Sequence, residues 1–255
     1  MFYTIVDNWY ENPDQIRETA LNNFLKVSKS GVNPNQKVDD YPGERTTTTL
    51  DNLTSNFKKF EESLGKKIDP NSWIFTCNFS VEEEVDKLQF DFSNIELKIK
   101  DTNLSVNHGK VSNGSFQYIV EGTKTWVHAD SENEYAAVIY LTPDAPKDSG
   151  TGFYKLKGTD IKFKSEDHKI DVADHLNEND WEMHHYIENV YNRCIIYDAK
   201  YYHQATRYFG KTLNDSRLTQ VFFFNLHKEK SERSKDPLFF ESNNLDIEKI
   251  LLNSF

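Results

Sequence analysis

Cysteine is nearly absent from this chain, with two in 255 residues, so a disulfide-stapled scaffold is excluded. Cys77 and Cys194 each sit in an apolar run (WIFTCNF and RCIIY) and read as buried reduced thiols, not as a disulfide or a nucleophile. Positive charge is also short. Thirty Lys and Arg face 41 Asp and Glu, for a net charge of -11 and a pI near 5.2. That balance argues against a general nucleic-acid binder, although a local basic groove stays compatible with it. No apolar run approaches the roughly 18 residues that a membrane span requires. The opening MFYTIVDNWYENPD lacks the basic patch and long apolar stretch of a signal peptide, so a cytoplasmic protein without a membrane partner is expected. Repeats and low-complexity linkers are missing as well, which leaves one domain over residues 1–255.

What the chain does have is aromatic bulk. Only 37% of residues are apolar, but 18 Phe and 13 Tyr supply material for a core. FYTIV (2–6) reads as a strand. Asn12-Pro13-Asp14 then announces a helix, with Asn12 able to cap, Pro13 suited to the first position and Asp14 favoured at the positive end. Ile16, Ala20 and Phe24, with Leu21 and Leu25, give it one apolar face. Beyond Tyr41-Pro42-Gly43, a second amphipathic helix is predicted from Asp51 to Leu64 on Leu53, Phe57, Phe60 and Leu64. Residues 1–70 are therefore expected to be helical support packed on the outside of a sheet.

From Trp73 the period falls from 3.6 to 2. WIFTCNFSV, SFQYIV, TKTWVHA, YAAVIYLTP, GTGFYKL, NRCIIYDA and RLTQVFFFNL are short, rich in β-branched or aromatic residues, and divided by Gly, Pro, Asn or Asp. Such a series predicts a mainly β (α+β) protein whose antiparallel sandwich or barrel core spans 71–227. A charged stretch over 155–190 reads as an inserted loop or lid, and 228–255 as a loosely attached tail ending in a short helix.

The chemistry-bearing candidates begin with His128-Ala129-Asp130. Residues two apart in extended backbone point to the same side, so this pair can converge on one ion. With 8 His and 21 Asp, about 0.7 such pairs arise by chance, and the spacing alone decides nothing. Context adds weight. His128 closes the apolar TWV, His203 lies just beyond the apolar NRCIIYDA, and Arg217 opens the nearly all-apolar RLTQVFFFNL. A guanidinium heading so apolar a run is costly unless an anion meets it. Two His and one carboxylate with open positions suit non-haem Fe(II), and Arg217 can clamp the far carboxylate of a chelating oxo-acid. The same triad also suits Zn2+ with a bound water.

Over residues 115–226 these parts resemble the Fe(II)/2-oxoglutarate-dependent dioxygenases, especially their prolyl-hydroxylase-like branch. The N-terminal IVDNWYENPDQIRETAL and YPGERT are similar to openings in uncharacterised bacterial and phage oxygenases. The resemblance implies a double-stranded β-helix (jelly roll, cupin-like) with His128, Asp130 and His203 as iron ligands. It implies 2-oxoglutarate as cosubstrate, anchored by Arg217 with Thr219 keeping the hydroxyl found in Arg-x-Ser relatives, and O2 as oxidant. Tyr118, ten residues before His128, resembles a tyrosine that bonds the cosubstrate, and SGTGFY (149–154) a Gly-rich strand. Asp130 occupies the place that halogenases leave open for chloride, so hydroxylation of a small molecule, amino acid or peptide side chain is expected, with release of succinate and CO2.

The competing functions are a zinc-dependent hydrolase, disfavoured by Arg217 and Thr219, and a non-catalytic jelly-roll binding module, disfavoured by the intact ligands. Trp126, Lys124, Asn133 and Arg45 are candidate substrate contacts near the mouth. The adjacent His184 and His185 would point opposite ways, His227 begins a charged run, and His168 and His175 have no partner at useful spacing. Oligomeric state is not legible.

Overall fold

The computed structural model describes residues 2–29, 42–46, 48, 50–75, 88–91, 96–99, 113–130, 133–165 and 178–228. The expectations for Cys77, His168, His175 and the tail from 229 onward lie outside these residues.

Three α-helices, a 3-10 turn at Glu178–Asp180 and eleven strands are described. Helix α1 runs Pro13–Lys29, α2 Leu50–Leu64 and α3 Pro70–Phe75. Six strands make the larger sheet: β1 (Tyr3–Val6), β9 (Cys194–Asp198), β6 (Tyr135–Tyr140), β11 (Arg217–Phe224), β5 (Ser115–Ile119) and β2 (Glu44–Thr46), in that spatial order. A second sheet is ordered β10 (His203–Ala205), β7 (Thr151–Leu156) and β8 (Trp181–Ile187), and β3 (Leu88–Asp91) pairs with β4 (Glu96–Ile99). Every pairing is antiparallel.

The larger sheet is covered on both faces, which explains why β11 reads as a continuous apolar run and not as an alternation. On one face Leu218, Phe222 and Phe224 of β11, with Phe116, Ile139 and Ile196, meet Ala20 and Phe24 of α1, Phe57 and Phe60 of α2, and Trp73 of α3. Trp73 stacks on Phe222 with centroids 5.5 Å apart. The two N-terminal helices thus pack outside the sheet, as their apolar faces predict. On the other face Ala136, Tyr140, Ile195 and Tyr197 pack against Phe153 and Ile187 of the smaller sheet. Parity along each strand therefore sorts residues into a helix-facing set and a set between the sheets.

Three expectations need correction. Trp73–Phe75 is helical: Pro70 takes the first helical position, and Trp73 N–H donates to Asp69 O at 3.3 Å. A short apolar run carries too little periodicity to tell strand from helix. TKTWVHA is not a strand, because this segment crosses between sheets and joins the ladder only through a His128–His203 bridge. The 155–190 stretch is not all insertion, since Trp181–Ile187 is β8 and pairs with β7 from Thr151↔Ile187 to Leu156↔Trp181. As the edge of its sheet β8 exposes both the charged Glu182 and the apolar Met183, which breaks the alternation that would have marked it.

Candidate metal centre

The site is built on that single bridge. His128 N–H donates to His203 O at 3.0 Å and His203 N–H to His128 O at 2.8 Å, a closed pair of ladder bonds. Asp130 N–H is tied to Ala199 O at 2.8 Å, which pins the next turn of chain to the end of β9. Backbone bonds therefore set all three positions before any side chain acts.

The imidazoles are oriented by carbonyls two residues upstream. His128 Nδ1 lies 3.1 Å from Trp126 O, and His203 Nδ1 lies 2.8 Å from Tyr201 O. A ring nitrogen at that distance from a carbonyl carries the proton, so each Nε2 keeps its lone pair. Those Nε2 atoms face Asp130, at 4.0 Å from Oδ1 for His128 and 3.6 Å from Oδ2 for His203. The ligand atoms of the three residues lie within 4.8 Å of one another. These separations exceed a hydrogen bond and suit one ion shared among them, with Nδ1 partners of the kind that commonly orient metal-bound histidines.

His203 is 5% exposed. Burial, reinforced by the neighbouring His128 and opposed by Asp130, pushes its pKa down to about 4. It stays neutral, the form a metal requires. Tyr197 packs edge-on against it at 4.8 Å.

The triad opens into a cavity of about 140 Å³, lined also by Arg45, Gln117, Trp126, Tyr208, Arg217 and Thr219. Arg217 is 5% exposed; its Nε donates to Ser149 O at 3.1 Å, and its guanidinium lies 5.5 Å from the Tyr140 ring centroid. The nearest acidic residues before it in sequence are engaged elsewhere: Asp215 accepts from the Thr212 N–H and hydroxyl and the Lys211 N–H, and Asp198 from the Lys200 N–H. Among the described residues no carboxylate makes an ion pair with Arg217. A buried guanidinium in that state is a strong demand for an anion.

Seven sequence-predicted residues line this one cavity: His128, Asp130, His203, Arg217, Thr219, Trp126 and Arg45. Arg45 lies in strand β2. Tyr118 does not join them. Its ring meets Phe24 of α1 edge-on at 4.9 Å, and its hydroxyl donates to Glu44. Strand parity is the reason: Gln117 and Ile119 of β5 face the cavity, so Tyr118 must face the helices. Lys124 is exposed and Asn133 is buried, and neither lines the cavity.

Sequence reasoning missed Gln117 and Tyr208. Tyr208 lies five residues after His203, and its hydroxyl donates to Thr125 Oγ1 at 3.2 Å. Burial raises the pKa of that hydroxyl, while Thr125 and the positive charges of Arg217 and Arg45 pull it back. Its signal in the sequence was only proximity to a ligand. His184 and His185 stand side by side on β8, away from the triad, with His185 stacked on Tyr3 at 4.7 Å. His227 is held by a backbone bond to Lys67 O.

No family model matches the sequence, and no curated protein matches it. Among solved structures the chain is similar to a Pseudomonas putida prolyl-4-hydroxylase, at 11% identity over 89% of this chain and 93% of that one, with a TM-score of 0.43. It is also similar to a prolyl hydroxylase from Trichoplax adhaerens, solved in complex with a hypoxia inducible factor oxygen degradation domain peptide fragment. There the identity is 12% over 87% of this chain and 82% of that one, with a TM-score of 0.39. No helix among the described residues is long and apolar enough to cross a membrane.

Proposed function

We propose that this protein is an Fe(II)/2-oxoglutarate-dependent oxygenase of jelly-roll architecture, a hydroxylase acting on a small molecule, amino acid or peptide side chain. The observation that carries the reading is the meeting of two oriented Nε2 lone pairs, one carboxylate and one buried guanidinium in a single cavity. His128, Asp130 and His203 would hold the metal, a ligand set that leaves positions open for a chelating oxo-acid and O2. When bound, Fe(II) supplies O2 activation coupled to conversion of 2-oxoglutarate into succinate and CO2.

The chain's own groups position and shield. Arg217, fixed through its Nε by Ser149 O, presents its remaining N–H donors to the far carboxylate of the oxo-acid, with Thr219 beside it on the same strand face. Ile119, Tyr197, Val221 and Phe223 give the cavity apolar walls that limit water. Asp130 would supply the carboxylate ligand of the metal, leaving no place for a halide, which favours hydroxylation. A zinc hydrolase has no use for a buried carboxylate clamp, so Arg217 weighs against that alternative.

Anaerobic equilibrium dialysis tests the reading. Uptake of 2-oxoglutarate should require Fe(II) and disappear in Asp130→Ala. Uptake independent of metal, or none with metal present, would contradict it.

A further inference from the structure

Tyr197 gives the cavity part of its wall, yet it carries something an apolar wall does not need, a hydroxyl. On β9, Ile195 and Tyr197 point between the sheets, while Cys194 and Ile196 point to the helices. The ladder partner of Tyr197 on β6 is Ala136, whose small side chain leaves the phenol room at the cavity. Two rings of the smaller sheet meet it edge-on, His203 with centroids 4.8 Å apart and Phe153 at 5.3 Å. The ring is clamped beside a metal ligand before anything binds.

The hydroxyl itself lacks a partner. Tyr197 is 3% exposed, and its phenol oxygen makes no hydrogen bond among the described residues. Other buried tyrosines are served: Tyr10 bonds Gln220, Tyr140 bonds Thr151 and Tyr208 bonds Thr125. A buried hydroxyl left unbonded is costly, which makes this one a demand for an acceptor from outside the chain. Burial, and after it the charge of Asp130, raises its pKa well above the ordinary phenol value, with Arg217 opposing. It is therefore a proton donor at neutral pH. Its contact with His203, and the weight of Asp130 among the charges acting on it, put it at the metal end of the cavity and not at the Arg217 end.

An acceptor at that end has to be something the metal carries. A chelating oxo-acid brings carboxylate and ketone oxygens there, and a hydroxyl donating to a charged oxygen forms one of the stronger hydrogen bonds. We propose that the Tyr197 hydroxyl donates to the metal-chelating end of the oxo-acid, as a second cosubstrate contact opposite the one made by Arg217. This rests on the oxygenase reading for the metal and the cosubstrate.

The test titrates the Fe(II)-loaded protein anaerobically with two oxo-acids, read by visible absorption and by equilibrium dialysis. 2-Oxoglutarate has both ends, whereas 2-oxobutyrate keeps the chelating end and lacks the far carboxylate. Tyr197→Phe retains the ring and its edge contacts and removes only the hydroxyl. It should weaken both acids by a similar factor, about tenfold, the loss of one hydrogen bond to a charged group. It should also shift the absorption band of the 2-oxoglutarate complex, because the lost donor acts on the chelating atoms. Fe(II) uptake without an oxo-acid should be unchanged. Arg217→Ala should weaken 2-oxoglutarate alone, and Tyr118→Phe neither acid. Unaltered affinity and an unmoved band in Tyr197→Phe would overturn the proposal. So would a loss confined to 2-oxoglutarate, which assigns the hydroxyl to the far carboxylate, or a loss of Fe(II) uptake, which marks a structural role. Absence of any band in the wild-type protein contradicts the oxygenase reading instead, and is seen before a variant is tested.

Discussion

His128 and His203 are 75 residues apart in sequence and exchange both of their backbone hydrogen bonds, at 3.0 and 2.8 Å, with ring centroids 4.4 Å apart. One antiparallel bridge therefore fixes two candidate ligands relative to each other. The side chains need only rotate into the tautomer that the Trp126 and Tyr201 carbonyls select.

Neutral His203 has a consequence for acid stability. Its folded pKa of about 4 lies below the ordinary 6.5, so as pH falls the unfolded chain binds this proton first. The metal-free protein should lose stability between pH 6.5 and 4 on this account, with no contribution above 6.5. In His203→Gln that component should vanish from the difference between the two stability curves, measured by urea unfolding at each pH. An identical acid slope in both proteins would refute it.

Arg217 should act on the oxo-acid and not on the metal. Arg217→Ala is expected to raise the 2-oxoglutarate concentration needed for half-saturation by about 10- to 100-fold, the loss of a charged hydrogen-bond pair worth roughly 1.5–3 kcal/mol. Fe(II) binding should stay nearly intact. Loss of both together would assign Arg217 to general structure.

The two tyrosines give a direct contrast. Tyr118→Phe should leave the 2-oxoglutarate requirement unchanged, because that hydroxyl meets Glu44 on the helix side of the sheet. Tyr208→Phe should change it or the substrate requirement, because Tyr208 lines the cavity beside both arginines. The reverse pattern, read by saturation kinetics, would return the cosubstrate role to Tyr118.

Gly150 is a close-approach position rather than a flexible one. A Cβ there would collide with the Ile187 carbonyl and crowd Asn189 N at 2.9 Å, and neither is a side chain that can swing away. Gly150→Ala should destabilise by roughly 2–3 kcal/mol and loosen the Ser149 carbonyl that holds Arg217. Gly158→Ala, at a positive φ but with nothing within 4 Å, should cost only about 1 kcal/mol in thermal unfolding.

The ligands are legible because they flank apolar runs, although only NRCIIYDA holds a strand and TKTWVHA does not, and Arg217 because nothing apolar excuses a guanidinium at the head of RLTQVFFFNL. Distance from His128 along the chain points to Tyr118, whereas cavity access depends on strand parity, which sets Tyr118 on the helix side of β5. Trp73 was misread because three apolar residues fit either period. Strand β8 was hidden by its edge position, and β2 and β10 by their length of three residues. Gln117 carries no local signal and Tyr208 only its nearness to His203, since their role comes from what faces them across the cavity.

The most direct test of the central claim is anaerobic addition of Fe(II) and 2-oxoglutarate to the purified protein, followed by visible absorption. A weak metal-to-ligand charge-transfer band should appear only with both present, bleach on admitting O2 as succinate forms, and be absent in the Asp130→Ala, His203→Ala double variant. No band in the wild-type protein, or the same band in the double variant, would contradict the account.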